Sequence, residues 1–429
     1  MQENIFNEMI ATRRHLHTRP EEGWTEFETT WLVYRRLKTL GYETVLTGTQ
    51  IINPENVLGR SPELVKKAIS RALAHGVPPE FIEQISELTG CAAVLDTQRP
   101  GPVLALRFDM DALCIQETDA TEHLPNVQGF CSEIPGMMHA CGHDSHTALG
   151  LALARWIQEN KDSLCGTIKL IFQPAEEGVR GATAIAASGF VDDVDVILGS
   201  HCGGKLQPKE IGLLHSGLLA STKFDIRYTG KPSHAGNQPH AGKSALMAAC
   251  STAMMLAGIP RHGDGVTRVA VGKIIAGEGR NITPVHALIQ AEVRGETAEI
   301  NDYLCEHVKH IVNGNAEAYQ VQAHIERVGD TTTLVECPEI LKVIENIARS
   351  LPETAGIVDL RAPSGSEDFT VLLRRVVQHG GRGAMFRWGC KHNGHHRSDF
   401  DIQDSETMPL AFDVFAGCIL HFLGLNSIQ

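Results

Sequence analysis

The sequence lacks long apolar runs, has few aromatic residues and carries no excess of basic charge. Because no stretch reaches about 18 uncharged apolar residues, we expect no transmembrane helix. Aromatic residues make up 5% of the 429 residues, and 38 Lys and Arg stand against 51 Asp and Glu, a formal net charge of −13. This balance disfavours nucleic-acid binding, which needs a basic surface to displace counterions from phosphates. The hydrophobic fraction of 42% is still enough for globular cores.

A secretory signal and a cysteine framework are also missing. The segment MQENIFNEMIATRRHLH is charged and has neither an apolar core nor a small-residue cleavage site, so we expect no signal peptide. The 11 cysteines form no C-x-x-C pair, which disfavours a disulfide framework or a four-cysteine zinc site. We therefore expect reduced thiols and a cytoplasmic protein. The 21 histidines, several of them clustered, suggest a transition-metal site.

The order of predicted elements indicates an α/β domain that is interrupted by a smaller α+β domain. The first 40 residues have helical apolar spacing, and residues 52–90 form an inserted helical pair. Apolar runs then alternate with helices, as in a mostly parallel central sheet flanked by helices. From 221 to 334 the order becomes β-α-β-β-α-β, which is typical of a ferredoxin-like fold. We therefore predict a discontinuous catalytic domain at 1–220 and 335–429, with the α+β domain inserted at 221–334.

Acidic and histidine side chains follow three of the predicted strands. Asp109 and Asp111 follow VLALRF, Glu176 and Glu177 follow TIKLIFQPA, and His201 ends VDVILGSH. Open α/β sheets place their sites at these strand ends. Metal-assisted hydrolysis needs one carboxylate as a ligand and another to take a proton from water, which would give the two adjacent glutamates separate roles. Taken alone, the pair is better explained as a solvated acidic turn.

The densest cluster of candidate ligands is MMHACGHDSHTA, in which Cys141 and His143 are two positions apart. A glycine between them allows a tight backbone fold, so that both side chains could face one ion. The alternative is a turn that opens a helix, with Asp144 as N-cap and one or two buried histidines. A later segment, GHHRSDFD, carries His395 and His396, and a surface patch would explain it equally well.

Three polar residues of the predicted insert are further candidates. GKPSHAGNQPHAGKSA carries His234 on a loop, GEGRN carries Asn281, and HALIQAEVRGE carries Arg294. Arginine suits bidentate recognition of a carboxylate. For each residue alone, a loop histidine, a capping asparagine or a surface arginine is the better explanation.

Together these motifs resemble one enzyme family over essentially the whole chain. RFDMDAL, MMHACGHDSHTA, LIFQPAEEG, a Gly-x-His at a strand end, SHAGNQP, GRNITP and a late GHH-x-x-x-F-D occur in this order in the metal-dependent amidohydrolases. That family includes hippurate hydrolase, the auxin-conjugate hydrolases and aminobenzoyl-glutamate hydrolase. The helical pair at 52–90, APSGSEDFT at 362–370 and GHH-x-x-x-F-D are most similar to the aminobenzoyl-glutamate hydrolase branch, and the bacterial indole-3-acetyl-aspartate hydrolases share these features. The resemblance implies a zinc-peptidase-like catalytic domain and a lid and dimerisation domain at 221–334.

The resemblance also implies a metal centre. Five residues match the family's ligands for two divalent ions, either Mn²⁺ or Zn²⁺: Cys141, His143, Glu177, His201 and His396. Glu176 matches the general base that acts on a metal-bound water nucleophile, and Asp111 matches an acid that orients a ligand.

The insert supplies the implied substrate contacts. His234 matches a lid histidine that reaches the partner's active site in the family dimer. Asn281 and Arg294 match the residues that hold the oxyanion and the substrate carboxylate, respectively. Gly365 matches a position whose backbone N–H helps to bind that carboxylate. We therefore expect a homodimer through the lid domain or, alternatively, a pair with a paralogous partner subunit. We expect no nucleic-acid or membrane partner.

The implied reaction is hydrolysis of an N-acyl amino acid. The first expected substrate is p-aminobenzoyl-glutamate, and the alternative is indole-3-acetyl-aspartate. A carboxypeptidase that acts on dipeptides would share the same site. A non-catalytic, metal-stabilised subunit is a hypothesis of a different class, and the presence of Glu176 beside all five ligands favours the enzyme.

Overall fold

The structure, a computed structural model, describes residues 2–362 and 365–425 and divides the chain into two compact units. The first unit contains the described residues of 1–216, 334–362 and 368–429. The second contains 217–333 and the described residues of 363–367. The return of the chain to the second unit after residue 362 is a long-range feature that no local sequence pattern indicates.

The helices and strands alternate along most of the chain. The first unit begins with α1 (Glu3–Thr18), α2 (Phe27–Thr39), β1 (Thr44–Thr47), α3 (Pro62–Ala74), α4 (Pro79–Gln84), β2 (Cys91–Asp96), β3 (Val103–Asp109), α5 (Leu124–Gln128), α6 (His143–Asn160), β4 (Thr167–Gln173), α7 (Ala182–Ala187), β5 (Val196–Cys202) and β6 (Glu210–Leu214). The second unit contains β7 (Ala220–Thr229), α8 (Ala245–Ala257), β8 (Thr267–Ala276), β9 (His286–Gly295), α9 (Ala298–Tyr319) and β10 (Gln322–Thr331). The first unit then resumes with α10 (Pro338–Ser350), β11 (Gly356–Leu360), α11 (Phe369–Gln378), β12 (Arg382–Trp388) and α12 (Asp404–Leu423).

The described strands of the first unit form one sheet in the order β1-β2-β4-β3-β5-β12-β6-β11. Its centre is parallel, since β4, β3, β5 and β12 run in the same direction, whereas β1, β2 and β6 add antiparallel pairings. The side chains of β3, β4 and β5 are buried almost throughout, as expected for central strands. Because these strands are parallel, the residues that follow them are gathered at one edge of the sheet.

Helix α6 starts at the cluster of candidate ligands and is tied to α1. Gly142 occupies its N-cap position, so Asp144 lies in the first turn and is not the cap. The Asp144 carboxylate instead lies 2.9 Å from Nε of Arg13 and 2.7 Å from Nδ1 of His17, and all three side chains are buried. These contacts fasten the start of α6 to the N-terminal helix.

The helical pair between β1 and β2 has its own small core. Helix α3 begins after Ser61, whose hydroxyl accepts the N–H of Leu64, and Pro79 opens α4. Both starts agree with the predicted insert. The pair packs its apolar side chains against α2, where Phe27 joins the cluster.

The second unit has the predicted β-α-β-β-α-β order. Its described strands form an antiparallel sheet in the order β10-β7-β9-β8. Alternate side chains of β9 are buried, and they form a core with residues of α8 and α9.

Two strands, the short helix α5 and the composition of α12 differ from the expectations. Strands β6 and β11 were not predicted, because each has only five residues and a short apolar run is a weak signal. Helix α12 is long and apolar enough to cross a membrane by composition, although we expected no such helix. A core helix has the same composition, and 61% of the most apolar window of α12 is buried, so this is weak evidence for a span.

Candidate functional site

Three candidate ligands meet where α6 begins and β5 ends. The Sγ of Cys141 lies 3.5 Å from Nε2 of His201, and a ring nitrogen of His143 completes a group whose atoms lie within 4.8 Å of one another. Gly142 permits this arrangement because its φ is 86°, in the left-handed region. A Cβ at this position would lie 2.4 Å from Sγ of Cys202. Glycine therefore lets Cys141 and His143 both turn toward His201.

The turn after β4 brings Glu176 and Glu177 to the same place. One oxygen of each carboxylate and a ring nitrogen of His143 lie within 4.8 Å of one another. The Asp111 carboxylate holds this turn, since Oδ1 accepts the N–H of Glu176 at 3.0 Å and Oδ2 accepts the N–H of Glu177 at 2.9 Å. The same Oδ1 lies 3.3 Å from Nδ1 of His143. Asp111 therefore orients both the turn and the imidazole.

The two histidines of GHHRSDFD both lie beside the cluster. Nε2 of His396 lies 3.3 Å from Oε1 of Glu177, and these two residues form a group with Cys141. Nδ1 of His395 lies 3.5 Å from Sγ of Cys141, and its buried Nε2 has no hydrogen-bond partner among the described residues. The motif assigned a role to His396 alone. The only sign in the sequence that His395 lies near the cluster was its position next to His396.

The donor set fits a divalent transition-metal ion. It combines a thiol, imidazoles and carboxylates, which are ligands of Zn²⁺ and Mn²⁺. Nε2 of His143 is buried and has no hydrogen-bond partner within residues 2–362 and 365–425, a costly state unless a metal ion or water interacts with this nitrogen. Nδ1 of His201 lies 2.8 Å from the carbonyl oxygen of Cys202 and donates to it, which leaves Nε2 free to ligate.

Burial and neighbouring charges set the protonation of the cluster. Burial, together with the rings of His146 and His395, lowers the pKa of His201 well below its usual range, so this ring is neutral. Burial also disfavours charged His143, but the Asp109 and Asp111 carboxylates outweigh it and raise its pKa well above the usual value. Burial and the Glu177 carboxylate raise the pKa of the Cys141 thiol. A cation reverses the last two effects, so metal binding here should release protons.

A chain of buried polar side chains behind the cluster received no role from the motifs. Arg107 contacts Asp109, which in turn contacts Nδ1 of His146. Nε2 of His146 accepts the N–H of Cys202 at 3.0 Å. Because Cys202 follows His201 directly, this chain orients the end of β5. The signal in the sequence was the charged RFDMD segment at the end of an otherwise apolar strand.

His234 and Asn281 lie on paired loops of the second unit. The N–H of Ala235 donates to the carbonyl oxygen of Asn281 at 3.0 Å. Nδ1 of His234 accepts the N–H groups of Gly236 and Asn237 at 3.2 and 3.0 Å. The proton of the neutral ring is therefore on Nε2, which makes this exposed nitrogen a hydrogen-bond donor.

Arg294 lies on β9 of the second unit and is held by its neighbour Glu292. Two guanidinium nitrogens lie 3.0 and 3.1 Å from the two carboxylate oxygens, and Nζ of Lys223 lies 2.7 Å from the same carboxylate. Gly365 also belongs to this unit, where its carbonyl oxygen accepts the N–H of Leu219. The structure thus divides the predicted site residues between the units. The first contains Cys141, His143, Glu176, Glu177, His201, His396 and Asp111, and the second contains His234, Asn281, Arg294 and Gly365.

Comparison with known proteins identifies the family. The model of peptidase family M20/M25/M40 matches residues 105–421. The chain is 43% identical over 404 residues to a homolog of a p-aminobenzoyl-glutamate hydrolase subunit from Haemophilus influenzae, a match that covers 94% of this chain and 96% of that one. It is 40% identical over 422 residues to the indole-3-acetyl-aspartic acid hydrolase of Enterobacter agglomerans, with 97% and 96% covered.

A solved structure is similar over the same extent. The aminobenzoyl-glutamate utilization protein from Klebsiella pneumoniae has a TM-score of 0.83 and 34% identity, with 97% of this chain and 96% of that one covered. The α/β fold class, the family resemblance and the prediction of a metal-dependent amidohydrolase are confirmed. The chain belongs to peptidase family M20/M25/M40.

Proposed function

We propose that this enzyme hydrolyses the amide bond of an N-acyl amino acid at a centre of two divalent metal ions. The observation that carries the proposal is the convergence of a thiol, imidazoles and adjacent carboxylates at one edge of the first unit's sheet. Cys141 is shared by two groups of ligand atoms, one with His143 and His201 and one with Glu177 and His396, which favours two ions over one. A thiol among histidines suits Zn²⁺, whereas cellular supply could favour Mn²⁺. The thiol also suits a reduced cytoplasmic compartment.

Glu176 is the proposed general base. When bound, divalent cations make water a stronger nucleophile near neutral pH and polarise a carbonyl group. Glu176 takes a proton from the attacking water and passes it to the leaving amine nitrogen. Asp111 holds the backbone N–H groups of both glutamates, and the Glu177 carboxylate also groups with Cys141 and His396, which favours Glu177 as the ligand.

The second unit supplies the proposed substrate contacts. His234 donates from Nε2, and with Asn281 it stabilises the oxyanion that develops on the scissile carbonyl. Arg294 binds the substrate α-carboxylate: a guanidinium has five N–H donors, and the bond to Glu292 uses two. The backbone N–H of Gly365 adds a further donor to this carboxylate. In the proposed dimer, His234 acts on the substrate of the partner subunit.

The proposed substrate is p-aminobenzoyl-glutamate, which yields p-aminobenzoate and glutamate. The support is the name of the Haemophilus influenzae relative, at 43% identity over nearly the whole of both chains. Indole-3-acetyl-aspartate is the second candidate, supported by the Enterobacter agglomerans relative at 40% identity. Both substrates carry the α-carboxylate that Arg294 would bind.

The second unit also offers a surface for a second copy of the chain. Helix α8 carries no charged residue and exposes Met247, Met254 and Met255 by 48%, 78% and 49%. Strand β8 lies at the sheet edge and exposes Ile274 and Ile275. Large exposed apolar side chains beside an unpaired strand edge are typical of protein interfaces. We therefore propose a homodimer through this unit. A paralogous partner chain is the alternative, because the name of one relative describes a subunit of a hydrolase.

Turnover by reconstituted protein tests the proposal. Metal-free protein is loaded with Mn²⁺ or Zn²⁺ and given p-aminobenzoyl-glutamate or indole-3-acetyl-aspartate, and free glutamate and aspartate are measured. We expect glutamate release that depends on metal. Aspartate release alone would favour the second substrate. Stoichiometric metal with no release from any N-acyl amino acid would contradict the proposal and favour a non-catalytic subunit.

A further inference from the structure

Three consecutive backbone N–H groups in the turn after β4 donate to two buried carboxylates. Asp111 accepts from Glu176 and Glu177. The preceding N–H, that of Ala175, donates to Oε1 of Glu26 at 2.7 Å. Glu26 is 0% exposed and lies 149 residues earlier in the chain, directly before α2. The turn is thus fastened by two separate segments of the first unit.

The backbone of Ala175, the first residue of this turn to donate, has an unfavourable conformation. Its φ is 53°, in the left-handed region that a residue with a Cβ seldom adopts. Its carbonyl oxygen accepts the N–H groups of Arg180 and Gly181, so both backbone polar groups of Ala175 are hydrogen-bonded. Because Glu176 follows directly, the conformation at Ala175 decides where the Glu176 carboxylate points.

The end of the helical insert contacts the same place. Oγ1 of Thr89 donates to the second oxygen of Glu26 at 2.6 Å. The next residue, Gly90, has a φ of 94°, and a Cβ there would lie 2.6 Å from the ring of Pro174. Pro174 directly precedes Ala175. Glu26 therefore joins the last residues of the insert to the turn that carries the two glutamates.

We infer that Glu26 is a positioning residue for Glu176. Glu26 accepts the N–H of Ala175 and so fixes the position of Glu176, and the hydrogen bond from Thr89 fixes Glu26. This inference rests on the proposed role of Glu176 as general base. The two hydrogen bonds carry the effect, and a negative charge is not needed. Burial and the nearby Asp111 carboxylate raise the pKa of Glu26 to about 8. Near neutral pH a protonated carboxyl still accepts from Ala175 with one oxygen.

Three substitutions of Glu26 separate hydrogen bonding from charge and from packing. Glu26→Gln keeps the length and an acceptor for Ala175, Glu26→Asp keeps the carboxyl group but is one methylene too short, and Glu26→Leu removes both hydrogen bonds. We expect the Asp and Leu variants to lose about 10- to 100-fold in kcat, since a misplaced catalytic group costs this much. KM should stay within about threefold and metal content should stay at the wild-type level. Glu26→Gln should retain kcat within about threefold.

Glu21→Leu is the matched control. Glu21 is also a buried carboxylate, and it accepts the N–H groups of Glu28 and Thr29 at the start of α2. Its side chain also accepts from Arg71 of α3, so its bonds support the helices and not the turn after β4. Its loss should lower Tm and leave kcat of the folded protein unchanged. If Glu26 were merely structural, Glu26→Asp would behave like this control.

Amide hydrogen exchange of residues 174–178 gives a readout that needs no substrate. We expect faster exchange of this segment in Glu26→Asp than in wild type or Glu21→Leu. If wild-type protein cleaved no N-acyl amino acid, the proposed function would fail, and this comparison would still test Glu26. Wild-type kcat and exchange in Glu26→Asp, or an equal loss of kcat in the Gln and Leu variants, would overturn the inference. If the Leu variant does not fold, the Asp and Gln variants carry the test.

Discussion

The two units hold their candidate site residues in opposite ways. In the first unit, His143 and His201 are 0% and 7% exposed, and each has a ring nitrogen fastened by an oxygen acceptor. In the second unit, His234 and Asn281 are exposed, and backbone pairing between their loops holds them. Arg294 is intermediate in exposure and in support, since its guanidinium is partly exposed and is held by the partly exposed Glu292 carboxylate.

The difference follows from what each set must bind. A metal centre needs several ligand atoms in a defined geometry before any substrate arrives, so most of its side chains are buried and oriented by further hydrogen bonds, although His396 is exposed. Substrate contacts form only when the substrate binds, so exposed loops can provide them. Changes to metal ligands in the first unit should therefore lower metal content and activity on every substrate, whereas changes in the second should affect particular substrates and leave the metal in place.

The largest expected effect is loss of the metal centre. His143→Ala removes a ligand nitrogen and leaves the Asp111 carboxylate without the imidazole it orients. We expect loss of bound metal and turnover at background on every substrate, measured as metal per chain and as amino-acid release. His215→Ala is the control, because this first-unit histidine lies between Glu336 and Asp359, outside the cluster. Two retained ions and normal turnover in His143→Ala would remove His143 from the centre.

The matching change in the second unit should depend on the substrate. Arg294→Gln should lower kcat/KM about 10- to 100-fold for N-acyl glutamate, because a charge-assisted hydrogen bond contributes about 1.5–3 kcal/mol. Metal content should not change. A substrate whose α-carboxylate is amidated should be cleaved equally by both proteins. Arg227→Gln, on the neighbouring β7, serves as the control; an equal loss on the amidated substrate would show that Arg294 does not bind the carboxylate.

A smaller effect is expected when the support of the metal centre is weakened. Asp111→Asn keeps one acceptor oxygen but turns an NH₂ group toward a backbone N–H of Glu176 or Glu177. We expect metal affinity to fall about 10-fold, at the low end of the range for a residue that orients a ligand. Titration of the metal-free protein with Zn²⁺ measures this. Unchanged affinity would mean that the turn and His143 hold their positions without Asp111.

The smallest effect is expected at the support of Arg294. Glu292→Gln removes a partly exposed ion pair, of a kind that contributes about 0.2–1 kcal/mol. KM for N-acyl glutamate should rise up to about fivefold with kcat unchanged, since Arg294 loses its orientation. Steady-state kinetics shows whether KM rises or falls. A lower KM would show that Glu292 competes with the substrate for Arg294.

Sequence reasoning succeeded where a pattern is local. The spacing of Cys141 and His143, and the acidic residues after β3 and β4, lie at strand and helix ends, and a parallel sheet gathers such ends at one edge. The prolines and glycines around α3 and α4 marked these helices in the same way.

It failed where two distant segments meet. The bond between Glu26 and Ala175 joins residues 149 apart, and the ion pair of Arg13 with Asp404 joins residues 391 apart. No spacing rule connects such residues, so these two contacts could not be predicted before the fold was known, whereas Asp111 was found through its motif. Asp144 shows the same limit, since its local pattern predicts an N-cap and its real partner is on α1.

In the proposed function, the first unit's cluster is a metal centre at which Glu176 moves the proton. The most direct test is Glu176→Gln, with metal per chain and glutamate release from p-aminobenzoyl-glutamate measured on one preparation. We expect wild-type metal content and a fall in kcat of about 10²- to 10⁴-fold, the usual contribution of a general base. Normal kcat with full metal occupancy would show that Glu176 is not the general base.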